Sequence, residues 1–134
     1  MTDLINEILL VDDHPLLRKG VAQLIELEDD MDIVGEAENG ETAVQLAIRL
    51  EPDLILLDLN MVGMDGIETL KAMRTAEVIS KIIMFTVSDE TDDVVNAIRA
   101  GADGYLLKDM EPEELVANLR HACNGQMVLS DRLN

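Results

Sequence analysis

The chain has almost no aromatic residues: of 134 positions one is tyrosine, one is phenylalanine and none is tryptophan. Its core must therefore be filled by Leu, Ile, Val, Met and Ala. That is within reach, because 48% of the residues are apolar and a chain of this length supports a single domain with one hydrophobic core. The same apolar share excludes a disordered chain. Cysteine is almost absent too. A lone Cys123 rules out an internal disulfide and points to a reducing compartment. Basic residues are scarce, 10 against 28 acidic ones, so the formal net charge is −18. A surface of that sign repels phosphate backbones and anionic lipid, which argues against direct nucleic-acid or membrane binding by this chain. No apolar run approaches the roughly 20 residues of a membrane-spanning helix. The opening MTDLINEILLVDDH has neither the basic start nor the long apolar stretch of a secretion signal, and a cytoplasmic location is expected.

What the sequence does contain is five short apolar runs at regular intervals: EILLV at 7–11, DIVGEA at 32–37, LILL at 54–57, KIIMF at 81–85 and GYLL at 104–107. Each reads as a strand. The first, third and fourth are apolar at successive positions, the pattern of parallel strands covered on both faces. Helical spacing fills the gaps, through Leu17, Val21, Leu24 and Ile25, then Ala43, Leu46, Ala47 and Leu50, then Ile67, Leu70 and Met73. Val94 and Ile98 mark a weakly apolar fourth helix; Leu115, Leu119 and Ala122 mark a fifth that opens at Pro112 among acidic residues. Gly101 and Gly125 stand where helices should stop. Strict alternation of strand and helix predicts a doubly wound α/β domain with right-handed crossovers. In such a domain, functional groups gather beyond the carboxyl ends of the strands.

Four of the five strand ends carry polar groups: Asp12 and Asp13, Asp58, Thr86 and Lys108. One polar residue at a wet strand end is ordinary; this many is not. Three carboxylates on one edge would repel and raise one another's pKa unless a cation lay between them. A small, open, oxygen-lined site that handles phosphate suits Mg2+ better than Ca2+. Lys108 can pair first with a carboxylate and then with a phosphoryl oxygen, and Thr86 can donate its hydroxyl to that oxygen. Phosphoryl transfer onto Asp58 is the chemistry implied.

Two rivals fare worse. A calcium loop starting at Asp58 finds Asn60 and Gly63 in place but meets Val62 at its fifth position and Thr69 where the bidentate Glu belongs. A metal-dependent phosphohydrolase with an aspartyl-phosphate intermediate needs a second acid two residues after the nucleophile. Asn60 stands there, and no segment reads as a substrate-binding insertion.

The stretches LLVDDH, LILLDLNM, IMFTVS and GADGYLLKD match in content and order, and from about residue 6 to 125 the chain resembles the receiver (CheY-like) domain of bacterial two-component response regulators. LLKDMEPEEL, with DDHPLLRKG and DLNM, looks most like the NarL/FixJ subfamily, especially its nitrate/nitrite regulators. The resemblance implies a flavodoxin-like (βα)5 fold with a five-stranded parallel sheet in the order 2-1-3-4-5. Residues 1–125 would form the receiver, and 126–134 would begin a linker to a helix-turn-helix output domain. It further implies that Asp58 is the phosphoacceptor, served by a sensor histidine kinase. Asp13 and Asp58 would bind Mg2+ directly, Asp12 through water, and Asn60 through its backbone carbonyl. Lys108 would hold the phosphoryl group, Thr86 would follow it, and Tyr105 would swing inward once Thr86 moves. Val62 stands where most receivers have proline, and Asp109 where many have a cis-proline.

Other residues read more plainly. His14 and hard Mg2+ are poorly matched, so His14 is expected to cap or pack the first helix. His121 and Cys123 offer too few ligands for zinc, and Cys123 reads as a small core residue. Ser88 is a rival to Thr86 as the hydroxyl, but reads better as a helix cap before DETDD. The eight methionines mostly fill core space. Leu16 and Leu27 lie off the buried stripe of the first helix and suggest a contact surface, with self-association through helices one and five.

Overall fold

The computed structural model describes residues 5–133. Five strands alternate with five helices: β1 (Asn6–Val11), α1 (Pro15–Glu26), β2 (Met31–Ala37), α2 (Gly40–Leu50), β3 (Leu54–Leu57), α3 (Gly66–Thr75), β4 (Lys81–Thr86), α4 (Thr91–Ala100), β5 (Gly104–Leu107) and α5 (Pro112–Cys123). A short β6 (Val128–Leu129) and a 3-10 turn at Asp131–Leu133 follow. All strand pairings are parallel, in the order β2-β1-β3-β4-β5-β6. No helix of the described residues is long and apolar enough to cross a membrane.

Because successive strand residues face opposite sides, the unbroken apolar runs feed two cores at once. Leu9, Val11, Ile55, Leu57, Ile82 and Met84 pack on one face with Ala43 and Ala47 of α2, Leu70 and Met73 of α3, and Ala97 of α4. Ile8, Leu10, Leu54, Leu56, Ile83 and Phe85 pack on the other with Val21 and Ile25 of α1 and Leu115 and Leu119 of α5. The division of helices, α2 to α4 on one side and α1 and α5 on the other, is what doubly wound topology requires. α4 is the thinnest contributor. Its one fully buried residue is Ala97, and Ile98 is 36% exposed.

Two expectations change here. The sheet has six strands, because the segment read as the start of a linker lies beside β5, with Gly104 opposite Val128 and Tyr105 opposite Leu129. The open edge of β5 would otherwise leave backbone groups unpaired. Ser130 donates its N–H to the Tyr105 carbonyl at 3.1 Å, and its hydroxyl oxygen accepts the Leu107 N–H at 2.8 Å. Glycine at 104 permits the approach, since a Cβ there would lie 2.6 Å from both the carbonyl oxygen and Cγ2 of Val128. A two-residue strand has no periodicity to announce it. The second change is at α4, whose N-cap is Glu90 rather than Ser88. Ser88 instead bonds Asp93 through its hydroxyl from two residues upstream of the cap.

Candidate functional site

Backbone bonds bring the strand ends into line. Asp58 donates its N–H to the Val11 carbonyl at 3.0 Å, Asp12 to Ala37 at 3.0 Å, and Lys108 to Thr86 at 2.8 Å. Each bond extends a parallel ladder by one residue past the strand, so the polar residues leave the sheet side by side. After Asp58 the chain must turn at once into α3, and Gly66 makes room. A Cβ on Gly66 would lie 2.4 Å from the Asp58 carbonyl oxygen and 2.6 Å from the Leu59 Cα, both backbone atoms that cannot step aside. Asp65 then caps α3 through a reciprocal pair with Glu68.

All the residues expected at the site are gathered by this arrangement. Asp12 and Asp58 are buried at 3% and 2% exposure. Lys108 places its Nζ 2.9 Å from Asp12 Oδ2 and 3.4 Å from Asp58 Oδ2, with its charge above the Phe85 ring. Thr86 is fully buried; its Oγ accepts from the Asn60 side-chain amide at 3.4 Å and from the Ser88 N–H at 3.3 Å. Asn60 also donates its N–H to Asp58 Oδ1 at 3.4 Å. Val62 donates its N–H to Asp13 Oδ2 at 3.3 Å, so the loop position that lacks proline supplies a donor proline could not.

The electrostatics are unresolved by these contacts. Burial pushes the Asp58 carboxyl above its ordinary range; Lys108 pulls it back and Asp12 pushes it further. Asp13 Oδ1 and Asp58 Oδ2 are buried oxygens that accept no hydrogen bond from the described residues, an uncommon state for such atoms. One donor atom from each of Asp12, Asp13, His14 and Asp58 falls within a 4.8 Å span. Bare acceptor oxygens converging on one point are the donor set a hard divalent cation takes, so the residues present fit Mg2+.

Three side chains depart from their expected places or were not foreseen. His14 occupies the N-cap of α1, where its carbonyl accepts the Arg18 N–H at 2.9 Å, but its side chain makes no capping bond; the ring lies over the carboxylates, with Nδ1 3.0 Å from Asp12 Oδ1. Arg18 anchors the first strand end by donating from Nη1 to the Asp12 carbonyl at 2.6 Å and from Nε to Glu36 at 3.1 Å. Arg18 is partly buried, its side chain 19% exposed, and nothing in the helical pattern marks it in the sequence. Tyr105 is fully buried, already inward, and donates its hydroxyl to the Ser88 carbonyl at 2.9 Å. Away from the site, Cys123 packs against the α1/α5 core, and burial pushes its thiol up to about 11, in keeping with a packing role. Neither it nor the exposed His121 joins a metal grouping among the described residues.

The chain is similar to known proteins. A family model described as the response regulator receiver domain matches residues 8–120. Over 126 residues the chain is 57% identical to the nitrate/nitrite response regulator protein NarL of Escherichia coli K12, covering 94% of this chain and 58% of that protein. Over 128 residues it is 52% identical to NarP, a nitrate/nitrite response regulator protein of the same organism, covering 96% and 60%. The chain therefore spans only about three fifths of the length of these relatives. The signal receiver domain of NarL from Mycobacterium tuberculosis superposes with a TM-score of 0.88 at 35% identity, over 92% of this chain and 99% of that one. The acid cluster, the lysine beside it and these matches together place the chain in the response regulator receiver domain family, as a NarL-type member.

Proposed function

We propose that Asp58 accepts a phosphoryl group from a sensor histidine kinase and that the chain answers with a change of conformation. The observation that carries this is the state of Asp58 Oδ2. It is buried, accepts no hydrogen bond and faces the Lys108 ammonium at 3.4 Å, so a lone pair is free to attack while a fixed positive charge waits for the transferring oxygens. In the step, that oxygen forms a bond to phosphorus as the phosphorus–nitrogen bond of a phosphohistidine breaks. The electron pair leaves on the imidazole nitrogen, which takes up a proton, and Asp58 becomes an acyl phosphate. Lys108 then exchanges carboxylate for phosphoryl oxygen as its partner.

Asp12, Asp13 and Asp58 would hold Mg2+, Asp12 through water, with the Asn60 backbone carbonyl completing the protein ligands. When bound, the ion supplies neutralising charge to the phosphoryl oxygens. The residues themselves orient and transmit. The Thr86 hydroxyl, held by long bonds from Asn60 and Ser88, would turn to a phosphoryl oxygen. Because Ser88 also holds the Tyr105 hydroxyl, that turn would shift the loop and ring together. The chain modifies itself and turns over no separate substrate. The phosphohydrolase alternative has no support, since Asn60 spends its side chain on Thr86 where a second acid would have to work.

The relatives' greater length supports a helix-turn-helix output domain elsewhere in the full protein, through which the switch would control transcription in the cytoplasm. Leu16 and Leu27, 87% and 78% exposed, support self-association through α1 and α5 on phosphorylation. The central test is incubation with Mg2+ and a small phosphodonor, followed by intact mass and peptide mapping. One phosphoryl group on the peptide containing Asp58 is expected, with none in Asp58→Asn or in the presence of EDTA. Undiminished labelling of Asp58→Asn would overturn the assignment.

A further inference from the structure

Among the described residues His14 supplies the nitrogen of the group that could ligate a metal, the Lys108 ammonium beside it being a cation with no lone pair to offer, and the spacing of His14 is that of a ligand. Nδ1 stands 3.0 Å from Asp12 Oδ1, 3.2 Å from Asp13 Oδ1 and 4.0 Å from Asp58 Oδ2. Donors bound about 2.0–2.1 Å from a first-row divalent ion lie about 3 Å apart when adjacent in its coordination sphere and about 4 Å apart when opposite. The cluster is more than an accumulation of acids. Asp58, 2% exposed, aims Oδ2 into it with no hydrogen bond made, and Asp13 Oδ1 does the same. The imidazole is 66% exposed, so it closes the site from its mouth and carries no packing of the core.

We propose that His14 joins Asp12, Asp13 and Asp58 in a mixed nitrogen and oxygen site that takes Co2+, Ni2+ and Zn2+ in preference to Mg2+. Carboxylate and water suit the hard ion, whereas imidazole suits the borderline ones. A nitrogen donor therefore raises affinity for the second group and adds nothing for the first. The inference rests on the function proposed above in that both kinds of ion use the same carboxylates, and so exclude each other. The competing arrangement is a ring that does no more than donate Nδ1–H to Asp12, and that arrangement contributes no metal affinity.

The test uses the whole chain, loaded with Co2+ for proton NMR and titrated calorimetrically with Ni2+ and with Mg2+. The chain has two histidines, so His14→Gln and His121→Gln separate the sources of any imidazole signal. Hyperfine-shifted ring protons are expected in the wild type and in His121→Gln, and their loss in His14→Gln. Ni2+ binding should weaken about tenfold or more in His14→Gln, a larger factor than any change in Mg2+ affinity; a far-UV circular dichroism spectrum and thermal melt like those of wild type show that the variant is folded. Unchanged Ni2+ affinity in His14→Gln, or shifted signals that vanish with His121 instead, would overturn the proposal. Mg2+-dependent phosphorylation of Asp58 in the same preparations keeps the two readings apart. Labelling retained alongside a negative Ni2+ result sinks this inference alone, while absent wild-type labelling sinks the parent reading and leaves the Ni2+ result to stand.

Discussion

Asp58 is 2% exposed, and burial holds its carboxyl above the ordinary carboxylate range, with Asp12 reinforcing the effect and Lys108 opposing it. In an unfolded chain the same group titrates near ~3.9. The stability it contributes is therefore complete below about pH 4 and is lost as pH rises through the folded value, so at neutral pH its charge is a net cost to the fold. Asp58→Asn is expected to melt a few degrees higher than wild type at pH 7 in chelator, an advantage that shrinks as pH falls toward ~4. Thermal melts across that range check it; a lower melting temperature for the variant at pH 7 would mean that Lys108 outweighs burial. Lys108 acts on the same atoms in the opposite sense. Among the described residues its ammonium is the one Lys or Arg cation within 4 Å of Asp58. Lys108→Ala should slow phosphoryl uptake about 10²-fold without moving the modification from Asp58. Stopped-flow phosphorylation measures this, and a wild-type rate would remove Lys108 from the mechanism.

The loops and the last strand set these side chains in place, and they do so by backbone bonding. β6 is two residues long, too short to contribute much burial, yet Ser130 satisfies one carbonyl and one N–H of β5. Ser130 is itself buried. Ser130→Ala leaves the Leu107 N–H without its acceptor, at a cost of about 1–3 kcal/mol. Denaturant unfolding should show the loss, and faster hydrogen exchange at the Leu107 amide should localise it; unchanged protection there would mean that β6 is not held by this bond. At the other end of the sheet, Arg74 has a similar role. Its guanidinium donates to the carbonyls of Gly101, Val78 and Ser80 and to the Asp103 carboxylate, joining the loops before β4 and β5. Arg120 ties α5 to the turn before β2 through Glu28 and Asp30, and lowers the Asp30 carboxyl below its usual range.

Across the whole molecule a net charge of −18 on 134 residues opposes compaction by self-repulsion. Screening relieves it: the Debye length shortens from about 30 Å at 0.01 M to about 8 Å at 0.15 M salt. The melting temperature should rise by several degrees over that interval, and a flat or falling profile would mean that the local ion pairs dominate the long-range repulsion. That charge, the order of strands and helices, and the polar residues at four strand ends were all legible in the sequence, because composition needs no coordinates and uninterrupted apolar runs such as LILL have no good alternative to a parallel strand covered on both faces. The identities of Asp12, Asp13, Asp58, Thr86 and Lys108 as one constellation followed from that topology. Tertiary structure alone decided the rest. His14 stays at the N-cap of α1 through its carbonyl, while its ring turns to the carboxylates of Asp12, Asp13 and Asp58. Arg18 and Arg74 find acceptors that are distant in sequence, and Val128 joins β5 only because Gly104 leaves room for it. The contacts of His14 with Asp58, of Arg18 with Glu36, of Arg74 with Gly101 and Asp103, and of Gly104 with Val128 join residues that no local period relates, so their free energy exists only once the strands have been brought together.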